Sequence, residues 1–164
     1  MDTAVEAFRS TLLERGALAD TGPEEAREAG QRAALLVGDA ASWRAHLGTL
    51  LDVPQVMALL GVTSRQAVYD LVARHRLVGL RRRGAGMAFP AFQFDPGSGR
   101  PYPVLAVLLE AFGSAGVDAY TVATWLATGQ DELGGRTPVS LLGETTAVPA
   151  LTAAAARTAT RLSH

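Results

Sequence analysis

The stretch from Asp52 to Arg76 constrains the fold more than any other part of the chain. Asp52-Val-Pro-Gln55 puts a capping side chain, a proline in the first turn and a glutamine at the third helical position, which together start a helix and satisfy its free N–H groups. Val56, Leu59 and Leu60 then form a short apolar stripe, and Gly61-Val62 breaks it. Thr63-Ser-Arg-Gln66 repeats the capping-box pattern, with Thr63 as the expected cap, and opens a second helix. At helical spacing Val68, Leu71 and Val72 point one way. Arg65, Tyr69, Ala73 and Arg76 point the other, with Gln66 beside them. Two short helices joined by a tight glycine-containing turn, the second with a polar and basic outer face, meet the requirements of a helix-turn-helix.

The segment that follows extends this reading. Leu77-Val-Gly-Leu-Arg-Arg-Arg83 and Met87-Ala-Phe-Pro90 bracket Gly84-Ala-Gly86, which predicts a β-hairpin with Arg81, Arg82 and Arg83 at its tip. A basic hairpin directly after the second helix is the expected wing of a winged helix-turn-helix.

Charge is distributed in the same sense. The chain of 164 residues has a formal net charge of −1, and all its basic residues are arginine. Residues 1–52 carry five Arg against nine acids, residues 91–164 four Arg against six acids, and residues 53–90 six Arg against Asp70 alone. A positive centre between acidic flanks predicts a focused anion-binding surface. Arg65, Gln66 and Tyr69 fall in the first turns of the second helix, with Ser64 just ahead of them. A helix of this kind enters the major groove there. Arg pairs bidentately with guanine and Gln with adenine, so these side chains are the expected base readers. Arg76 and Arg81 to Arg83 are the expected phosphate or minor-groove contacts.

Outside this centre the periodicity is helical, so the expected fold class is mainly α. Residues 1–51 are expected to form a helical N-terminal segment and a candidate oligomerisation element. Its helices span about 1–17 and 21–37, with a third starting at Asp39 and holding Trp43 and Leu47. Residues 52–94 form the DNA-binding module. Asp95-Pro-Gly-Ser-Gly-Arg-Pro101 is a loop into a C-terminal helical bundle, residues 95–164. There Leu105, Leu108 and Leu109 share one face, Asp118 caps a helix bearing Val122, Trp125 and Leu126, and Gly129 is placed at that helix's end. Thr137 caps a short helix begun by Pro138, and an Ala-rich helix from about Ala147 to Arg161 closes the chain. Gly134 and Gly135 permit positive φ or close backbone approach.

Val53 to Val72, followed by Arg76-Leu-Val-Gly-Leu80, resembles the excisionase/MerR-type helix-turn-helix. Downstream, Phe89-Pro-Ala-Phe-Gln-Phe94, Trp125-Leu126, Leu133-Gly-Gly-Arg-Thr-Pro138 and Leu141-Leu142 resemble the toxin-binding region of Xre/MbcA/ParS-type antitoxins. The resemblance covers roughly residues 52–160. It implies an antitoxin that masks a RES-domain, NAD-consuming toxin and represses its own operon by binding operator DNA. It places toxin contact at Trp125, at Leu133, Gly134, Gly135, Arg136, Thr137 and Pro138, and on the terminal helix at Leu151. Where that family often has Pro-Asn before the Leu-Gly-Gly, this chain has Gly129-Gln130. Trp125 also reads as a core residue, since a Trp at helical spacing with Val122 is commonly buried in its own domain. The alternative is a stand-alone transcriptional regulator or recombination-accessory protein that shares the helix-turn-helix and has no toxin.

Enzymatic function is not expected. His46, His75 and His164 have no partner at metal-ligand spacing, and there is no cysteine to bind metal or form a disulfide. His75 is assigned to the inward side of the second helix. Asp131-Glu132 is adjacent in sequence and so cannot flank a substrate. Gly84-Ala-Gly86 is too short for a phosphate loop. No cofactor is implied. No apolar run has the length of a membrane span, and the N-terminus does not read as a signal peptide, so a cytoplasmic protein with DNA, a toxin and a second copy of itself as partners is expected.

Overall fold

The computed structural model describes residues 45–82, 84 and 86–163. By contacts the chain divides into Met1–Ser42 and Trp43–His164, and the described residues belong to the second unit. Of the expected N-terminal helices, only residues 45–47 lie among the described residues; they are helical, and Leu47 is buried.

This unit is mainly helical with a small antiparallel sheet. Strand β1 (Leu50–Leu51) leads into helix α1 (Val53–Leu60) and helix α2 (Arg65–Ala73). The hairpin β2 (Leu80–Arg82) and β3 (Gly86–Pro90) follows. Strand order is β1-β3-β2, with Leu50 opposite Pro90, Leu51 opposite Phe89, and Leu80 opposite Ala88. The sequence predicted only the two-stranded hairpin. β1 has two residues and no alternation to reveal it, and it exists because β3 offers an open edge to pair with.

The remainder is α3 (Pro103–Ser114), α4 (Ala119–Ala127), the single turn α5 (Pro138–Leu141) and α6 (Val148–Leu162). Short 3-10 turns at Ala91–Gln93, Asp131–Leu133 and Thr145–Ala147 connect them. Local chemistry sets most of these boundaries. Asp118 accepts from the N–H groups of Tyr120 and Thr121 at 2.9 and 3.1 Å, and Thr137 accepts from Ser140 at 3.3 Å. Gly134 and Gly135 both take positive φ, 66° and 78°, in the turn before α5. Gly129 does not cap α4; Thr128 holds that position in an extended conformation. Gly129 is needed for a different reason. A Cβ there would stand 2.5 Å from the Gly135 carbonyl oxygen, so the two backbones meet only with glycine present.

Two apolar clusters fill the interior. One lies within the helix pair and hairpin and contains Val53, Val56, Val68, Leu77, Phe89 and Phe94. The other joins α3, α4 and α6 around Leu105, Leu108, Phe112, Trp125, Leu126 and Leu151. Val78 and Leu80 belong to this second cluster, so the base of the hairpin is anchored in the C-terminal helices. Between the clusters sits Gln93, fully buried. Its Oε1 accepts from the Val78 N–H at 2.8 Å, and its Nε2 donates to the carbonyls of Val78 and Pro90 at 3.1 and 3.0 Å. One side chain thus satisfies three backbone groups that no strand pairing reaches. Among the described residues no helix is long and apolar enough to cross a membrane.

Candidate nucleic-acid interface

The helix pair is built by its caps. The Asp52 carboxylate accepts from the Gln55 N–H, and the Gln55 side chain accepts from the Asp52 N–H, both at 2.8 Å, which completes the expected capping box of α1. Gly61 closes α1 in the left-handed conformation, with φ of 67°. The cap of α2 is one residue later than the sequence pattern indicated. Ser64, not Thr63, accepts from the Ala67 N–H at 3.1 Å, and Gln66 turns outward instead of back to close a box. Val68 is fully buried, with Leu71 and Val72 half-buried beside it, as the helical spacing required.

This leaves Arg65 and Gln66 exposed on the first turn of α2 and Tyr69 half-buried one turn on. Gln66, Tyr69, Ala73, Arg81 and Arg82 line one open groove of about 640 Å3 between α2 and the hairpin. The structure therefore brings together side chains from two elements that the sequence had assigned to one surface. Asp70, the single acid of residues 53–90, also lines this groove and accepts from Gln66 Nε2 at 2.8 Å. That bond uses one of the two amide hydrogens of the exposed Gln66; its carbonyl oxygen and second N–H are the kind of pair that a bidentate adenine contact needs. Among the described residues, neither Arg65 nor Arg81 takes part in an ion pair. Arg83 lies outside the described residues.

Two assignments change. Arg76 does not share the outer face of α2, because the helix ends at Ala73 and the chain turns through Arg74 and His75. Arg76 lines a separate cleft with Leu71 and Arg100. His75 is not on the inward side of the helix. It lies beyond the helix end, at φ of 54°, exposed, with its ring laid over Gly113 of α3. Any side chain at Gly113 would collide with that ring.

Tyr120 is a contributor the sequence did not reveal. Its hydroxyl donates to the Arg81 carbonyl oxygen at 2.5 Å and so ties the start of α4 to the outer strand of the hairpin. Nothing local marks it, since the bond spans 39 positions.

The residues proposed for toxin contact divide by burial. Trp125 is 6% exposed and packs edge-on against Phe112, with ring centroids 5.1 Å apart. Pro138 and Leu151 are also in the core, Leu151 with no exposed surface. A side chain already filled around by its own domain has no surface to give a partner. Leu133 and Thr137 are half-buried, while Gly134, Gly135 and Arg136 are exposed. Arg136 is engaged with Glu144 through two hydrogen bonds, at 2.5 and 3.3 Å. This contact raises the affinity of Arg136 for its proton and holds the Glu144 carboxyl below its ordinary range. The small residues Ala154, Ala155 and Ala159 face inward and let α6 approach α3 closely.

No protein-family model matches this sequence, and no curated protein matches it. Among solved structures the chain is similar to one described as "NMR structure of Rv2175c", with 27% sequence identity over 68% of this chain and 81% of that one, and a TM-score of 0.57. The likeness supports a common fold across that stretch.

Proposed function

We propose that this protein binds double-stranded DNA through a winged helix-turn-helix and regulates transcription. In this reading α2 is the recognition helix, Arg65 and Gln66 read bases in the major groove, and the β2–β3 hairpin is the wing, holding phosphate through Arg81 and its neighbours. The observation that carries it is the groove shared by Gln66, Tyr69, Arg81 and Arg82, which sets side chains of α2 and of the basic hairpin on one surface. A second copy of the chain would read a second half-site, and the acidic N-terminal segment is the proposed interface. A cytoplasmic location is part of this reading.

The test is duplex selection from genomic fragments, followed by titration across a salt series. A specific site is expected to bind at least about 1,000-fold more tightly than random duplex. Arg81→Ala with Arg82→Ala weakens all sequences alike and flattens the salt dependence. An unchanged salt slope removes the wing assignment, and the absence of any preferred duplex removes the function.

Toxin neutralisation is a second reading. It draws on the resemblance and on the exposed turn Gly134–Arg136, where two successive left-handed glycines put a stretch without side chains at the surface. Its contact surface is restricted to that turn and the outer face of α6, because Trp125, Pro138 and Leu151 are committed to the core. Regulation without a toxin needs no such surface. Co-expression with the product of a neighbouring gene decides between them: rescue from growth arrest that Arg136→Glu abolishes supports neutralisation, and failure of the intact chain to bind or rescue rejects it.

A further inference from the structure

Arg76, displaced from the face of α2, meets an unassigned feature. It lines a cleft of about 490 Å3 together with Arg100, between the helix pair and the start of α3. Leu60, Val62, Leu71 and Ala106 give this cleft apolar walls, and Tyr102 adds an aromatic ring. Among the described residues no acid lines it. Among the described residues neither arginine has an ion pair or a hydrogen-bonded side-chain partner, although other arginines of the unit are held by Glu132 and Glu144.

We propose that this cleft binds a small organic anion, a carboxylate-type head on an apolar body. Two like charges on one cleft repel each other and raise the local potential until an anion neutralises them. A guanidinium offers a fork of N–H donors that matches a carboxylate. The apolar walls set the rest of the ligand: a bare inorganic ion would leave them unused, and an apolar neutral molecule would leave the arginines unpaired. The volume lies within the range of small-molecule sites, roughly 300–1,000 Å3. Helix α3 begins at this cleft, with Pro103 in its first turn and no side-chain cap from Tyr102, so the positive end of its dipole adds to the same potential.

The ligand head sits against Arg76 and Arg100. Its body lies on Leu60 of α1, Val62 of the turn and Leu71 of α2, which also pack against the apolar cluster of the helix pair. Occupancy therefore touches the elements that position the DNA-facing groove, but binding to the cleft does not depend on DNA recognition being correct.

The experiment uses the full chain and anilinonaphthalene sulfonate, an aromatic anion whose fluorescence rises in an apolar site. Saturable binding at one site per chain is expected. Hexanoate should displace the probe, and hexanol at the same concentration should not. Arg76→Gln and Arg100→Gln should each weaken binding about tenfold, the loss of one charge-assisted contact. Both are exposed, and unchanged thermal unfolding would show that the fold is intact. Ala106→Phe fills the cleft and should abolish binding with both arginines in place. Probe binding that is absent, or unaffected by all three variants, overturns the proposal. So does a loss of duplex affinity with a flatter salt slope in Arg76→Gln and Arg100→Gln without any ligand, because the arginines would then be holding DNA phosphate. Failure of the wild-type chain to bind any duplex would sink the proposed function and leave the fluorescence result standing.

Discussion

The helix pair with its hairpin and the C-terminal helices use the same basic residue in opposite ways. In the C-terminal part Arg157 and Arg161 reach Glu132 at 2.8 and 3.7 Å, and Arg136 reaches Glu144. These charges close turns onto α6 and onto the segment after α5. In the helix pair and hairpin, among the described residues, Arg65, Arg74, Arg76 and Arg81 have no such partner, and Asp70, the single acid of residues 53–90, accepts from Gln66. Paired exposed charges cancel most of their external field, whereas unpaired ones of one sign add. Arginine is denser in the helix pair and hairpin, six in residues 53–90 against four in residues 91–164, but density alone does not say which charges are paired. Pairing separates a region that holds itself together from one that presents charge outward.

The largest expected effect tests the structural side of that contrast. Leu151→Ala is expected to cost about 2–5 kcal/mol of stability, since a fully buried leucine of the α3–α6 core leaves a cavity. Leu162→Ala, at a side chain 48% exposed, should stay within about 0.5 kcal/mol. Chemical denaturation of both variants measures the difference. Equal, small effects would mean that α6 does not close this core and is free to serve a partner.

Next is the outward-facing side. Arg65→Ala is expected to lose about 1–3 kcal/mol of affinity for a selected duplex and to relax preference at one position. Arg157→Ala should leave duplex affinity unchanged. Anisotropy titrations at matched salt measure both, and a loss of similar size in the two would erase the distinction between the regions. Tyr120→Phe should be smaller, about 0.5–1.5 kcal/mol in stability, because one hydrogen bond to the Arg81 carbonyl is removed. If the hairpin depends on this tie for its position, the variant also loses part of the contribution of Arg81 to the salt slope.

The smallest effect is in acid. Glu132 is held below its ordinary value of 4.5 by its hydrogen bond to Arg157, with the charges of Arg157 and Arg161 adding to it, and Glu144 by Arg136. A carboxylate depressed in the folded state contributes stability that is fully present above its unfolded value and is lost as pH falls through the folded one. Glu132→Gln should therefore lower the melting temperature slightly at neutral pH and have no effect below the folded value. Both carboxylates are exposed, so solvent screens the contribution. A melting-temperature difference that persists at pH 2 would show that the role of Glu132 is packing and not charge.

The features legible in the sequence share one property: each is decided within a few residues. Asp52 with Gln55, Asp118 with Tyr120 and Thr121, and Thr137 with Ser140 are all contacts to the next turn, so residue type and spacing suffice. The mainly helical class follows from the same periodicity, as does the inward side of α2. Even here a single position escaped, because Thr63 and Ser64 are both able to cap and only the backbone path selects Ser64.

What the tertiary structure decided are contacts between distant positions. β1 is a strand because β3 lies beside it. Gln93 is buried because three backbone groups converge on it, although the polar residue between Phe92 and Phe94 reads equally well as a surface position. Gly129 is required by the Gly135 carbonyl, and Arg76 leaves the face of α2 because the helix ends at Ala73 and the chain passes through His75 at positive φ. Leu151 looked as available to a partner as to the core, since an apolar face on a helix records only that something covers it. The covering surface here is α3 of the same chain, and that choice is made by the packing of whole elements, which no local spacing encodes.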